Sequence, residues 1–331
     1  MVDARRVNEE YRRWVSKQPP RYTTVKEELA DFTRHADRYQ HYDSAVPSTL
    51  PSTDLSRVLT DFDVSTALPL VLFLELEADL DEFQKQECLA IVESFIARRV
   101  FTGEETKEYN KLFVDVVGSL RGQSGVQVRP ALEKKLLTGG GTTRLWPTDE
   151  QVIEKAISRP LFTTLKTPAL RLILERLENH FRGKKTESTD IPAGLQIEHV
   201  LPQKWAAYWP MRGKVIPDHV VSFSYLATDD LAEFGDSIRA RNTALQTLGN
   251  LTLLNKYLNP AASNGAFEAK LVEYKHSVLR LNRYFDNETT WDEDAISRRG
   301  KMLGEAFCKI WPRPVSVQRT PLLDRLEEIS S

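Results

Sequence analysis

The chain has 331 residues, 41% of them hydrophobic and 28% charged, with a formal net charge of −2. This balance fits a soluble globular protein of about two domains and excludes disorder over the whole chain. The near-zero charge excludes a generally basic nucleic-acid coat, so any nucleic-acid contact must come from local basic faces. The two cysteines, Cys88 and Cys308, lie far apart without Cys-x-x-Cys pairing. That argues against a disulfide framework or a cysteine-held zinc, and for reduced, buried thiols in a cytoplasmic protein. No apolar run reaches the roughly 20 residues that span a bilayer; the stretch 67–76 already contains Glu75. The first residues, Met1-Val2-Asp3-Ala4-Arg5-Arg6, lead into no apolar segment, so neither a secretory signal nor a membrane is expected.

The first part reads as helices. Val7, Tyr11 and Trp14 share one helical face, as do Leu89, Val92, Phe95 and Ile96, and then Tyr109, Phe113, Val116 and Leu120. Gln18-Pro19-Pro20 and the stretch 46–53 break them, and 139–143 is a linker or loop. Thr148 is placed to cap a helix with Asp149 and Glu150 in its first turn. A further helix over about 168–181 runs through Leu170, Ile173, Leu174, Leu177 and Phe181, and ends at Arg182-Gly183-Lys184-Lys185. The polar stretch 186–190 reads as a boundary. After Pro192 the pattern changes. Leu195-Gln196-Ile197-Glu198-His199-Val200 alternates as a half-buried strand does. A mixed insertion reaches about Ala244, and a second β-like run covers 248–254. Phe267, Leu271, Tyr274, Val278, Leu281 and Phe285 then form an apolar stripe that predicts one helix. The expected fold is mainly α: a helical region over 1–145, a helical connector over 146–191, and a strand–strand–helix unit embedded in helices over 192–331.

Within that last region three motifs follow one another: Ile197-Glu198-His199-Val200-Leu201-Pro202-Gln203, Leu248-Gly249-Asn250-Leu251-Thr252-Leu253-Leu254, and Asn259 with Ser263-Asn264, Phe267 and Lys270. Over about 192–285 they resemble the HNH (ββα-metal) nuclease domain of GmrSD-type restriction endonucleases, shared with the phosphorothioate-sensing Ssp defence nucleases. HNH nucleases place their last asparagine or histidine nine residues beyond the middle asparagine, and nine residues beyond Asn250 is Asn259. The resemblance implies a metal-dependent DNA endonuclease or nickase of a phage-defence or modification-dependent restriction system. His199 is then the general base, since an imidazole titrates near neutrality and can take a proton from water. Mg²⁺ or Mn²⁺ is the implied cofactor, held by Asn259 and by Glu198, because hard cations prefer oxygen ligands. Asn250 is implied to pin the loop that orients His199, Lys270 to touch a phosphate, and Asn264 to touch metal or DNA. Two departures stand out. Adjacent strand residues such as Glu198 and His199 point to opposite faces unless the strand ends there, and the insertion before Asn250 exceeds the compact HNH loop.

The helical first part resembles the same family more weakly, through Glu93-Ser94-Phe95-Ile96-Ala97-Arg98-Arg99 and Thr106 to Phe113. Family members join such a segment to a nucleotide-hydrolysing, ParB-like domain. Its Asp-Gly-Gln-Gln-Arg motif does not occur here, nor does a Gly-x-x-x-x-Gly-Lys-[Ser/Thr] loop. The resemblance therefore implies a C-terminal part of a longer protein, with double-stranded DNA as substrate and a homo-oligomer left open.

Several residues have plainer readings. Asn259 before Pro260 is a standard helix start, Asn264-Gly265 is a turn signal, and Lys270 suits a solvated helix face. His35, His41, His180, His219 and His276 show no ligand spacing. Basic groups that could meet phosphates are Arg239 with Arg241, Lys275 with Arg280 and Arg283, and Arg298-Arg299 with Lys301. Trp205, Tyr208 and Trp209 could stack on bases, with core packing as the simpler role. The alternative to an enzyme is a DNA-binding or regulatory module with an inactive HNH site.

Overall fold

The first described part is helical, as expected: α1 (Val7–Val15), whose apolar spacing is legible in the sequence, then α2 (Val25–Asp43), α3 (Thr53–Asp61) and α4 (Leu68–Leu72), for which no spacing is read from the sequence. These lead to the long α5 (Glu82–Thr102), then α6 (Tyr109–Leu120) and α7 (Val128–Thr138). The computed structural model describes residues 6–17, 19–43, 53–139, 145–182, 191–192, 194–211, 213–222, 234–255 and 265–314. The expected linker at 139–143 apart from Gly139, the boundary at 186–190 and most of the break at 46–53 lie outside them. A reciprocal capping box between Asp81 and Gln84 starts α5, and Gly103, in the left-handed region at φ 86°, ends it. Thr148 caps α8 (Asp149–Ser158) in the same reciprocal way with Gln151. Short α9 (Leu161–Thr164) and α10 (Thr167–Arg182) follow.

Two strands come next, separated in sequence but paired in space. β1 (Gln196–His199) runs antiparallel to β2 (Leu251–Leu254), with His199 opposite Leu251 and Glu198 opposite Thr252. Residues 248–250, expected to extend β2, form a 3₁₀ turn instead. Between the strands lie α11 (Asp218–Ser222) and α12 (Gly235–Ala244). After β2 come α13 (Phe267–Lys275), α14 (Arg280–Arg283) and the closing α15 (Glu293–Ile310).

The stripe from Phe267 to Phe285 is therefore not one helix. Ser277 breaks it: its hydroxyl accepts from Leu279 N–H at 3.3 Å and from Asn282 Nδ2 at 2.7 Å. Val278, expected in the stripe, is 69% exposed. Local side-chain bonds of this kind compete with helical ones.

Two apolar clusters form the interior. The first runs through α3 to α10 and takes in Leu251 and Leu253 of β2 together with Leu303, Phe307 and Trp311 near the C-terminal end. The second gathers Val200, Leu201, Trp205, Trp209, Ile238, Leu254, Phe267 and Trp291. The described part of the long insertion is thus built into the second cluster. The strand pair lies between the two clusters, with side chains in both.

Helix α15 ties them together. Gly304 lies flush on α8, where a Cβ would meet Ala156 at 2.9 Å. Nearer the start of α15, Gly249 is pressed so close that a Cβ would sit 2.0 Å from the Ile296 carbonyl oxygen. Arg299, expected from the sequence as a candidate phosphate contact, is fully buried and donates to the carbonyls of Gly249 at 2.7 Å and Leu251 at 2.8 Å. Its guanidinium also sits 4.9 Å from the Phe285 ring. Burial pulls it down to about 10, still charged at neutral pH. It holds the turn before β2 and is not a phosphate contact.

Both cysteines are buried and free, and burial pushes their thiols up to about 11 for Cys88 and about 12 for Cys308. Among the described residues no helix is long and apolar enough to cross a membrane.

Candidate active site

The site is built at the point where β1 ends. The Val200 N–H donates to the Asn250 carbonyl at 2.9 Å, carrying the ladder one residue past His199. The Asn250 side chain then takes over. Its Oδ1 accepts from Leu201 N–H at 2.8 Å and from Trp291 Nε1 at 3.0 Å. Its Nδ2 donates to the carbonyls of Leu201 at 2.8 Å and Leu245 at 3.0 Å. Fully buried, this amide uses all four of its hydrogen-bonding positions, two of them on Leu201, two residues after His199.

The His199 ring is nearly enclosed, with 8% of the residue exposed. Phe162 of α9 packs edge-on against it, ring centres 4.3 Å apart. Nε2 lies 3.3 Å from Gln246 Oε1 and 3.5 Å from Gln203 Nε2. Burial lowers its proton affinity to about 4, with the Gln246 hydrogen bond opposing and the Lys270 charge adding to the drop. The imidazole is therefore neutral at pH 7 and available to accept a proton.

Glu198 faces a different element. Lys270, in α13, donates to Glu198 Oε1 at 2.6 Å and to the His199 carbonyl at 2.7 Å, with its side chain fully buried. Burial raises the Glu198 pKa and lowers that of Lys270, and each charge opposes the shift of the other. Close by, the Tyr274 hydroxyl is buried without a partner among the described residues, and burial holds its pKa well above the ordinary value.

The sequence-derived candidates therefore divide. Glu198, His199, Asn250 and Lys270 come together around the end of β1. The two adjacent strand residues do diverge, with the His199 ring on Phe162 and Gln246 and the Glu198 carboxylate on Lys270. The phosphate contact expected of Lys270 needs correcting, since its ammonium is enclosed and already bonded to two acceptors. Lys275 lies exposed at the end of α13, near exposed Arg280 and Arg283. Asn259 and Asn264 lie outside the described residues. Among the described residues no group of three histidine, cysteine or acidic side chains is placed to hold a metal.

Two other expectations change. Arg241 is buried, pairs with Glu293, donates to the Trp209 carbonyl at 2.8 Å and lies 4.7 Å from the Trp205 ring centre. Trp205 and Trp209 are core residues, while Tyr208 is 61% exposed. The residues that pattern reading missed are Phe162, Gln246 and Trp291. Nothing in their local sequence marks them, because they reach the site from segments distant along the chain.

No curated protein matches the chain. Residues 146–306, just under half of it, match the family described as GmrSD restriction endonucleases, C-terminal domain. The match begins at buried Trp146, two residues before the α8 cap, and ends within α15, so it encloses the strand pair and the helices that hold it. Over residues 146–306 the chain is therefore similar to the C-terminal domain of the GmrSD restriction endonucleases.

Proposed function

We propose that this domain hydrolyses DNA phosphodiester bonds as a metal-dependent HNH-type endonuclease in a phage-defence or modification-dependent restriction system, with His199 as the base. The family of residues 146–306 supports the restriction-endonuclease part. The observation that carries the finer reading is His199 itself: a neutral imidazole, fixed on several sides, at the end of the first strand of a strand–strand–helix unit.

In this reading a water attacks the phosphorus while His199 takes its proton, and the bond to the leaving sugar oxygen breaks. A ring of such low proton affinity is a weak base on its own. A phosphodiester anion arriving beside it favours the imidazolium and strengthens it at that moment. Asn250 keeps the segment after His199 from moving.

A divalent cation, Mg²⁺ or Mn²⁺, would stabilise charge on the phosphate and the leaving oxygen. Its proposed ligands are Asn259 and Glu198. The described donors fit this only in part, because Lys270 already holds one Glu198 oxygen. Exposed Lys275, with Arg280 and Arg283, is proposed to meet DNA phosphates, and Asn264 to assist. A single such site cuts one strand, so the proposed product is a nick, and a double-strand break needs two copies. A ParB-like nucleotide-hydrolysing domain is the proposed partner, and the cytoplasm the proposed compartment.

The Glu198–Lys270 pair favours a second reading, a DNA-binding module whose metal site is closed. Supercoiled plasmid incubated with the protein and Mg²⁺, Mn²⁺ or EDTA separates the two. Open-circular product that needs the metal supports the nuclease. Salt-dependent DNA binding with no conversion under either metal supports the binding module.

A further inference from the structure

Two neutral tautomers are open to His199, and which nitrogen keeps its lone pair decides which atom takes the proton from water. We infer that Gln246 is a positioning residue that holds the His199 imidazole in its Nε2–H form, leaving Nδ1 as the proton acceptor. This rests on the reading of His199 as the base.

The geometry carries the inference. Gln246 Oε1 stands 3.3 Å from Nε2. An amide oxygen only accepts, so this contact requires the proton on Nε2. Gln203 reaches the same nitrogen at 3.5 Å through its amide nitrogen. That contact makes the opposite demand, but at the outer limit of a hydrogen bond it is the weaker of the two.

Gln246 is itself held in place. Its backbone N–H donates to the Thr243 carbonyl at 3.1 Å, and its carbonyl accepts from Phe162 N–H at 3.1 Å. Phe162 is the residue whose ring closes on the imidazole from the other side, tilted at 71°. The Asn250 amide that pins Leu201 after His199 also holds the Leu245 carbonyl, next to Gln246. The ring, its acceptor and its packing partner are thus fixed against one another by hydrogen bonds from three distant segments. Such orientation of a base by a bonded neighbour is a recurrent device in catalysis.

The test reads nitrogen protonation directly. The intact chain is labelled with ¹⁵N-histidine, and long-range proton–nitrogen correlation spectra are recorded at neutral pH for wild type, Gln246→Leu and Gln246→Glu. Wild type is expected to show a protonated Nε2 and an unprotonated Nδ1. Gln246→Leu is expected to lose that preference and to nick plasmid about tenfold more slowly, at an unchanged KM for DNA. Gln246→Glu keeps an acceptor and is expected to keep Nε2 protonated. A wild-type ring protonated on Nδ1, or a leucine variant that retains the wild-type tautomer, overturns the inference. Should the leucine variant fail to fold, the wild-type and glutamate spectra decide. A His199→Ala variant that still nicks would remove the base reading, while the spectra would still decide the tautomer.

Discussion

The ammonium of Lys270 bridges Glu198 and the backbone of His199, 2.6 Å from the carboxylate and 2.7 Å from the carbonyl. A charge that pattern reading assigns to solvent instead locks the end of β1 to α13. Removing one member of a buried ion pair strands the other, at about 3–5 kcal/mol. Lys270→Met should therefore destabilise the fold by about that much. The double variant with Glu198→Gln should cost less than the sum of the single changes, by about 1–3 kcal/mol. Urea unfolding of the four proteins measures it; strict additivity would mean the two groups do not act as a pair.

Asn250 bonds four groups in the core: the Leu201 N–H and carbonyl, the Leu245 carbonyl and the Trp291 indole N–H. Asn250→Ala leaves those buried groups unsatisfied and should cost at least about 3 kcal/mol. Asn250→Asp should not rescue it, because a carboxylate cannot donate to the Leu201 and Leu245 carbonyls. A loss below about 1 kcal/mol in thermal or chemical unfolding would contradict this role.

Gly249 is required by closeness. An added Cβ would meet the Ile296 carbonyl at 2.0 Å, so α15 would have to move away from the turn that carries Asn250. Gly249→Ala should cost about 3 kcal/mol or more. Gly118, in α6 with open space around it, is the control. There Ala should stabilise by about 0.5–1 kcal/mol. Equal effects at the two glycines would refute the packing argument.

His199 should titrate near pH 4 rather than near its ordinary 6.5, because burial disfavours the imidazolium. The unfolded chain takes up a proton as pH falls through 6.5, while the folded chain does not until about 4. The stability contribution is therefore complete above about 6.5 and is lost as pH falls between those values. Between pH 7 and 4 wild type should lose stability more steeply than His199→Gln. Histidine NMR titration and unfolding at a series of pH values check both halves, and a midpoint near 6.5 would contradict the enclosed ring.

The paired ribbon was legible in the sequence because 195–200 alternates and the run ending at Leu254 is largely apolar, as suits a strand buried on both faces. The caps at Thr148 and the helix over 167–182 were legible for similarly local reasons. Other features were not, because their causes are distant in sequence. Lys270, Arg241 and Arg299 read as surface charge, yet carbonyls and carboxylates brought from other segments bury them. The stripe from Phe267 to Phe285 has the right period for a helix, and only the Ser277 hydroxyl, by bonding Leu279 and Asn282, stops it. At the site, Glu198, His199 and Asn250 stood out by motif, whereas Phe162 and Gln246 are found only when the ring's neighbours are known.

The proposed reaction depends on His199 as the base for DNA hydrolysis. Initial rates of supercoiled plasmid nicking under Mn²⁺, for wild type and for a folded His199→Ala variant, test it most directly. The variant is expected to lose about 10²–10⁴ in rate, and EDTA to abolish the wild-type reaction. Comparable nicking by the two proteins would contradict it.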